Sequence, residues 1–500
     1  MKTHECPKVF TGFGLVLFTA CTLSISATSL AREKARVEAL AGQRNHDQFI
    51  VKYRDGAIET RDSAAASRSV AEVTSRLIGM FGQSFSIRHI RATADSSHVL
   101  KSNKNLDRVE AALLMRQLAL NPDVEYVEPD REAHALAVPN DTNFSLQWYL
   151  TEWVGGNDAA YAWDVTTSDP SIMIAVLDSG VTNHTDLNSK KLGGYDFVTD
   201  TTRSKDGDGR DPDPSDPGTF SPAIMDDPCV GDSPCSNLSP SDWHGTVVAG
   251  IAAAATNNSS GIAGVGYNAR FVPIRVLGRG GSGHLSDIAD AIKWASGAVV
   301  VGVPANPYPA KIINLSLGWE TFDACSPTLQ SAIDTAYNNG ATVIAAAGNT
   351  NSNSLIQPAK CNNVISVAAT DRAGNRAYYS SHASWITLSA PGGVGTGADG
   401  IYSASNTGTQ GPVAQTYKYG EGTSMSAPQV AGVVALVQKR ALELCGYQFG
   451  PSTIRSVLIN SAAPFATTPP ANQQIGAGIV SATGALFEVG QICDYMIPPN

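Results

Sequence analysis

The sequence predicts an α/β fold, a parallel sheet flanked by helices, with a small α+β unit ahead of it. Three observations carry this. Short runs rich in Val and Ile recur through the middle of the chain, most of them ending in Gly or Asn: SIMIAVLDSG (171–180), ARFVPIRVLG (269–278), AKIINLSLG (310–318), GATVIAAAGN (340–349) and NNVISVAAT (362–370). Helical stretches lie between or beside them, among them HGTVVAGIAAAA (244–255), LSDIADAIKWAS (285–296) and SPTLQSAIDTAYNNG (326–340). Nearly continuous apolar strands alternating with helices argue for a parallel sheet covered on both faces. Composition agrees: 43% of the 500 residues are hydrophobic and only 16% charged, so disorder is not the default and a large core is available.

From the N-terminus, Lys2 and Lys8 precede or open VFTGFGLVLFTACTL, an apolar stretch too short to span a bilayer. This reads as an export signal over residues 1–31, with cleavage after Ser29 or Ala31; FTAC is a poor lipoprotein site because Phe18 stands where Leu is usual. The second zone, 32–136, has a strand in FIVKYRD, Ser- and Arg-rich turns, and a strand in SSHVLK. A helical run, NLDRVEAALLMRQLAL, and the strand VEYVEP close it, an α+β order with its own small core. A polar, Pro-marked linker follows. The main domain is read as 137–480, and 481–500 as a tail too short to be a domain.

A formal net charge of −10 argues against a nucleic-acid partner, which needs a basic face. No later stretch is apolar enough for a membrane span. Of eight cysteines, Cys6 and Cys21 fall in the signal, leaving Cys229, Cys235, Cys325, Cys361, Cys445 and Cys493. An even number in an exported chain, without close paired spacings, favours disulfides over zinc. Proximity alone suggests sequential bridges: Cys229–Cys235, Cys325–Cys361 and Cys445–Cys493.

The chemistry gathers at strand ends and helix starts. Asp178 ends a buried strand, His244 opens a helix of small apolar residues, and Asn349 ends another strand. Ser424 stands in EGTSMSAPQVAG, where Gly422 lets the backbone approach what the serine faces and Pro428 fits a first helical turn. Each has an ordinary explanation as a cap or turn residue. Together they form a set: a weak hydroxyl nucleophile, an imidazole to take its proton, a carboxylate to orient that imidazole, and an amide to stabilise an oxyanion.

The motifs VLDSG, HGTVVAG, AAAGN and GTSMSAPQVAG, in this order, resemble those of the subtilisin-like serine proteases over roughly 138–480. The resemblance implies Asp178 as orienting acid, His244 as base, Ser424 as nucleophile and Asn349 as oxyanion donor. Val247 departs from the family, which commonly has His there, one turn past the base. The resemblance further implies a peptide-binding edge at Gly281, Ser282 and Gly283, and an opposite wall at Ser316, Leu317 and Gly318. With Ala346, Ala347 and Gly348 these make a small, uncharged primary pocket, suited to apolar or aromatic side chains and broad specificity. The α+β zone resembles the family's inhibitory propeptide, of ferredoxin-like fold and removed by self-cleavage, with Leu136–Ala137 as the junction.

Two calcium sites are expected. The run SKDGDGRDPDPSDPG places Asp206, Asp208, Asp211 and Asp213 in one loop, with Asp216 a less certain ligand, and a hard cation would relieve their repulsion. Similarity to thermitase-like members implies a second site from Asp141, Asp186 and Asn258 with carbonyls of Ala255, Ser260 and Ile262. The reading is a secreted, monomeric, calcium-stabilised serine endopeptidase made as a zymogen. Its rivals are a binding protein reusing the fold, which has no need to keep all four residues, and a serine esterase, which would want G-x-S-x-G.

Overall fold

The computed structural model describes residues 34–40, 46–81, 84–130, 138–221, 240–321 and 324–495. The signal segment, the 136–137 junction, Cys229 and Cys235 lie outside them. The chain divides into two compact units, the first over Met1–Ala135 with Asp494–Asn500 and the second over Leu136–Cys493.

The first unit runs β1 (His46–Tyr53), α1 (Ser63–Phe81), β2 (Ile87–Ala92), β3 (His98–Leu106), α2 (Arg108–Ala119) and β4 (Val124–Pro129). Its antiparallel sheet has the order β2-β3-β1-β4, the ferredoxin-like arrangement expected. The Ser- and Arg-rich stretch expected as turns is α1 instead. Ala66, Val70, Val73 and Leu77 recur at helical spacing and are buried, which outweighs the weak helix preference of the serines between them. An Asp107–Glu110 capping box starts α2 where the sequence placed a helix.

The second unit is built on β5 (Met173–Asp178), β6 (Tyr195–Asp196), β7 (Arg270–Arg275) and β8 (Ile312–Leu315), then, beyond the short strand β9 (Trp319–Thr321), β10 (Thr342–Ala346). The short strand β11 (Leu355–Gln357) precedes β12 (Val364–Thr370) and β13 (Leu388–Pro391). Every pair in the seven-stranded sheet, order β13-β12-β10-β8-β5-β7-β6, is parallel. Alternate residues of β5 face opposite layers. Ile174 and Val176 join a core with α3 (His244–Ala253), whereas Ala175 and Leu177 join one with α4 (Leu285–Ala295) and α5 (Pro327–Asn338). After β14 (Ile401–Asn406) and β15 (Gln415–Gly420), an antiparallel pair, come α6 (Thr423–Leu444), α7 (Pro451–Asn460) and α8 (Ala482–Tyr495). The residues read as a tail contain all of α8, and Ala482, Ala485, Leu486 and Val489 sit in the same core as α6. Cys445–Cys493 ties the two helices together, and Cys325–Cys361 forms as well.

The sheet grows in both directions from β5, toward β7 on one side and β8 on the other. Such a switch point leaves a crevice beyond the C-terminal strand ends. No helix among the described residues is long and apolar enough to cross a membrane.

Candidate active site

Asp178 ends β5 and is buried, and His244 opens α3 with about a quarter of its side chain, 23%, exposed. The ring Nδ1 lies 2.8 Å from Asp178 Oδ1 and 3.0 Å from Oδ2. Gly245 permits this approach: a Cβ there would lie 2.1 Å from the Gly180 carbonyl oxygen and 3.2 Å from Asp178 Cβ. Burial works against a charged ring, but the Asp178 carboxylate overcomes it by charge and hydrogen bond, so the His244 pKa is pushed up to about 9.

Ser424 is the second residue of α6. Helix α6 therefore begins earlier than the sequence suggested, and Pro428 lies inside it rather than in its first turn. Proline has no N–H to give the carbonyl four residues back. That carbonyl is Ser424's, and the Ser316 hydroxyl donates to it at 2.9 Å. Reciprocally, Ser424 Oγ donates to the Ser316 carbonyl at 3.1 Å rather than to the imidazole.

At Gly422 the backbone comes close to Asn349. The Gly422 φ of +139° suits glycine, and a Cβ there would lie 3.2 Å from Asn349 Nδ2. Asn349 Oδ1 accepts from the Thr423 N–H and hydroxyl, each at 2.9 Å. Its exposed side chain thereby keeps both Nδ2 hydrogens for another acceptor.

A cleft of about 440 Å³ joins these groups. His244, Asn349 and Ser424 line it, with Gly281, Ser282, Gly283, Ser316, Leu317, Gly318, Ala346 and Gly348; Ala347 is fully buried and does not. Trp319, Glu320 and Ile356, from the β9–β11 pair, also line it. Glu320 brings a charged side chain to this cleft, while the primary-pocket walls 316–318 and 346–348 carry none. Ile356 lies between the two glycine walls, its side-chain atoms 2.9 Å from where a Cβ on either Gly318 or Gly348 would stand. Short strands of three residues carry too little periodicity to announce themselves, and no sequence signal pointed to these residues.

The acidic loop does not converge on a cation; among the described residues no three His, Cys, Asp or Glu side chains do. The reason is Arg275, fully buried at the end of β7, whose guanidinium takes the carboxylates of Asp206 and Asp196 and the Ser204 carbonyl. Asp211 Oδ1 instead accepts from the Asp213 N–H at 2.9 Å and Asp213 Oδ1 from the Ser215 N–H at 3.0 Å, local turn bonds. The Asp208 carbonyl takes the Ser204 hydroxyl at 2.5 Å.

Asp141 and Asp186 are different. Both are buried, and Asn258 touches both: its N–H reaches Asp141 Oδ1 at 3.4 Å and its Nδ2 reaches Asp186 Oδ1 at 3.2 Å. Asp186 Oδ2 accepts from the Ile262 N–H and the Tyr417 hydroxyl, and Asp186 O from the Ala255 N–H. The Ser260 N–H bonds Asn258 Oδ1. Burial, with the Asp186 charge adding to it, holds the Asp141 pKa above its ordinary value. Two buried carboxylates, hydrogen-bonded by backbone N–H groups, Asn258 and Tyr417 but by no Lys or Arg, carry negative charge that a hard cation would offset.

A parallel sheet carrying an Asp–His pair, a serine at a helix start and a free amide over one cleft has the parts of a serine hydrolase. Residues 169–479 match the family described as the subtilase family, Peptidase S8. This chain belongs to it. The chain is 42% identical to an extracellular protease of Xanthomonas campestris pv. campestris, over 97% of this chain and 80% of that one. It is 33% identical to thermitase of Thermoactinomyces vulgaris, over 65% of this chain and 91% of that one. Among solved structures, a protease from Pseudoalteromonas arctica matches with a TM-score of 0.65 and 43% identity, over 71% of this chain and all of that one.

Proposed function

We propose that this chain is exported as a zymogen, and that its second unit cleaves peptide bonds with Asp178, His244, Ser424 and Asn349. The observation that carries the reading is the Asp178–His244 pair opening onto a cleft shared with Ser424 and Asn349. With Nδ1–H donated to Asp178, the neutral imidazole offers Nε2 as acceptor. Ser424 Oγ turns from the Ser316 carbonyl, gives its proton to Nε2 and attacks the scissile carbonyl carbon. The oxyanion accepts hydrogen bonds from Asn349 Nδ2 and a backbone N–H at the α6 start. His244 then protonates the leaving amine, and water, deprotonated by the same ring, releases the acyl group.

Gly281–Gly283 and Ser316–Gly318 offer backbone on both sides of an extended peptide, which supports recognition without a sequence requirement. The primary pocket favours apolar side chains. Ile356 limits its depth, so short and medium ones fit better than aromatic ones. The first unit is read as the inhibitory propeptide: it is compact by itself and follows an export-type N-terminus, and a relative carries the name extracellular protease. Asp141, Asp186 and Asn258, with carbonyls of Ala255, Ser260 and Ile262, would hold a structural calcium, which supplies the positive charge these buried carboxylates lack. The chain is read as a monomer without nucleic-acid or membrane partners.

Ser424→Ala tests the reading. Peptide hydrolysis and fluorophosphonate labelling should vanish, and the precursor expressed alone should stay uncleaved. Maturation of that variant with no other protease present would refute self-processing.

A further inference from the structure

We propose that Asp216 is a positioning residue for the Asp178–His244 pair, acting through the Ser179 hydroxyl. The inference rests on the catalytic reading above. Ser179 follows Asp178 and Gly245 follows His244, so these two neighbours sit on either side of the pair. The Gly245 N–H donates to Ser179 Oγ at 3.0 Å. This N–H lies in the first turn of α3, where no helical carbonyl is available to it. One hydroxyl therefore joins the end of β5 to the start of α3.

A hydroxyl that accepts there must aim its own hydrogen elsewhere. Ser179 Oγ donates to Asp216 Oδ2 at 2.7 Å, and Asp216 Oδ1 accepts from the Gly218 N–H at 2.8 Å. Both side chains are buried, Asp216 at 2% exposure and Ser179 at 1%. The backbone of the same segment is stitched to the chain just beyond Asp178: the Val181 N–H donates to the Pro214 carbonyl and the Asp216 N–H to the Val181 carbonyl, each at 3.2 Å. Asp216 alone in the acidic run is thus spent on the triad's neighbours. Its carboxylate locks the Ser179 rotor with a lone pair facing Gly245. Without it the hydroxyl can turn its hydrogen toward the Gly245 N–H, and His244 loses its register against Asp178.

Ser179→Ala and Asp216→Asn, singly and together, test this in the mature enzyme, with fluorophosphonate titration counting the folded sites. Asn keeps the shape of Asp but cannot accept from both donors. Each single variant should lower kcat about tenfold, the scale of one hydrogen bond, with KM changed by less than about twofold. The acid limb of kcat/KM should slip toward the ordinary histidine range. The double variant should be no slower than Ser179→Ala, because both changes act through one hydroxyl. Wild-type kcat and pH profile with only a lower melting temperature would make Asp216 a structural brace and overturn the proposal. Losses that multiply in the double variant would overturn it too. Failure of the underlying catalytic reading shows separately, as peptide hydrolysis persisting in Ser424→Ala.

Discussion

Replacing Asp178 by Asn should move the pH at which this enzyme works as well as its rate. In the wild type the His244 pKa, raised from 6.5 to about 9, leaves about one per cent of the ring neutral at pH 7. Only the neutral ring can take the Ser424 proton, so kcat/KM should climb about tenfold per pH unit until it levels near 9. The asparagine removes the charge that raises the pKa and leaves burial, which lowers it. The acid limb should then fall to 6.5 or below, while the plateau drops by about four orders of magnitude for want of the orienting carboxylate. Stability carries the same signature. A raised folded-state pKa contributes fully below 6.5 and is lost as pH rises through about 9; a shift of this size is worth about 3 kcal/mol. Initial rates on a peptide anilide across the alkaline range give the limb. Urea unfolding of Ser424→Ala, with and without Asp178→Asn, gives the stability without autolysis. A wild-type limb at 6.5, or one that Asp178→Asn does not move, refutes the reasoning.

Asn349→Ala should lower kcat by about two to three orders of magnitude with KM nearly unchanged, since its amide meets charge that appears only in the transition state; a raised KM alone would make it a turn residue. Ile356→Ala should raise kcat/KM for Phe at the cleaved position relative to Ala, read by competition between two peptide substrates. Cys493→Ser should cost about 4 kcal/mol in denaturant unfolding, the chain-entropy value for a separation of 48 residues. Calcium at a hundred times its dissociation constant should add about 2.7 kcal/mol of stability, and Asp186→Ala should abolish that gain while Asp208→Ala leaves it intact, followed by melting against calcium concentration.

The sheet and the four central residues were legible because each is marked twice, by an apolar run and by a polar residue at its end. Asp178, His244 and Ser424 fall where a strand stops or a helix begins, and Asn349 lies three residues beyond the end of β10. Three strands and one helix of the first unit were visible, through FIVKYRD, SSHVLK, VEYVEP and the helical run before the last, although β2 was missed and α1 hid behind its serines. What stayed hidden depends on pairing over distance. Ile356 and Glu320 enter the cleft only because two three-residue strands meet. The acidic run looks like a cation loop until Arg275, from β7, takes Asp206. Pro428 reads as a helix start until Ser316 is seen to satisfy the carbonyl it orphans.

The Asp178–His244 contact closes a span of 66 residues, and the Ser316–Ser424 contact closes one of 108. Contacts between residues so far apart in sequence form late and slowly. A ribosome-bound or half-folded chain therefore holds every ingredient of a protease and no protease. Destructive power is withheld from the nascent polypeptide by topology itself, and it arrives only once β5, α3, β8 and α6 have met.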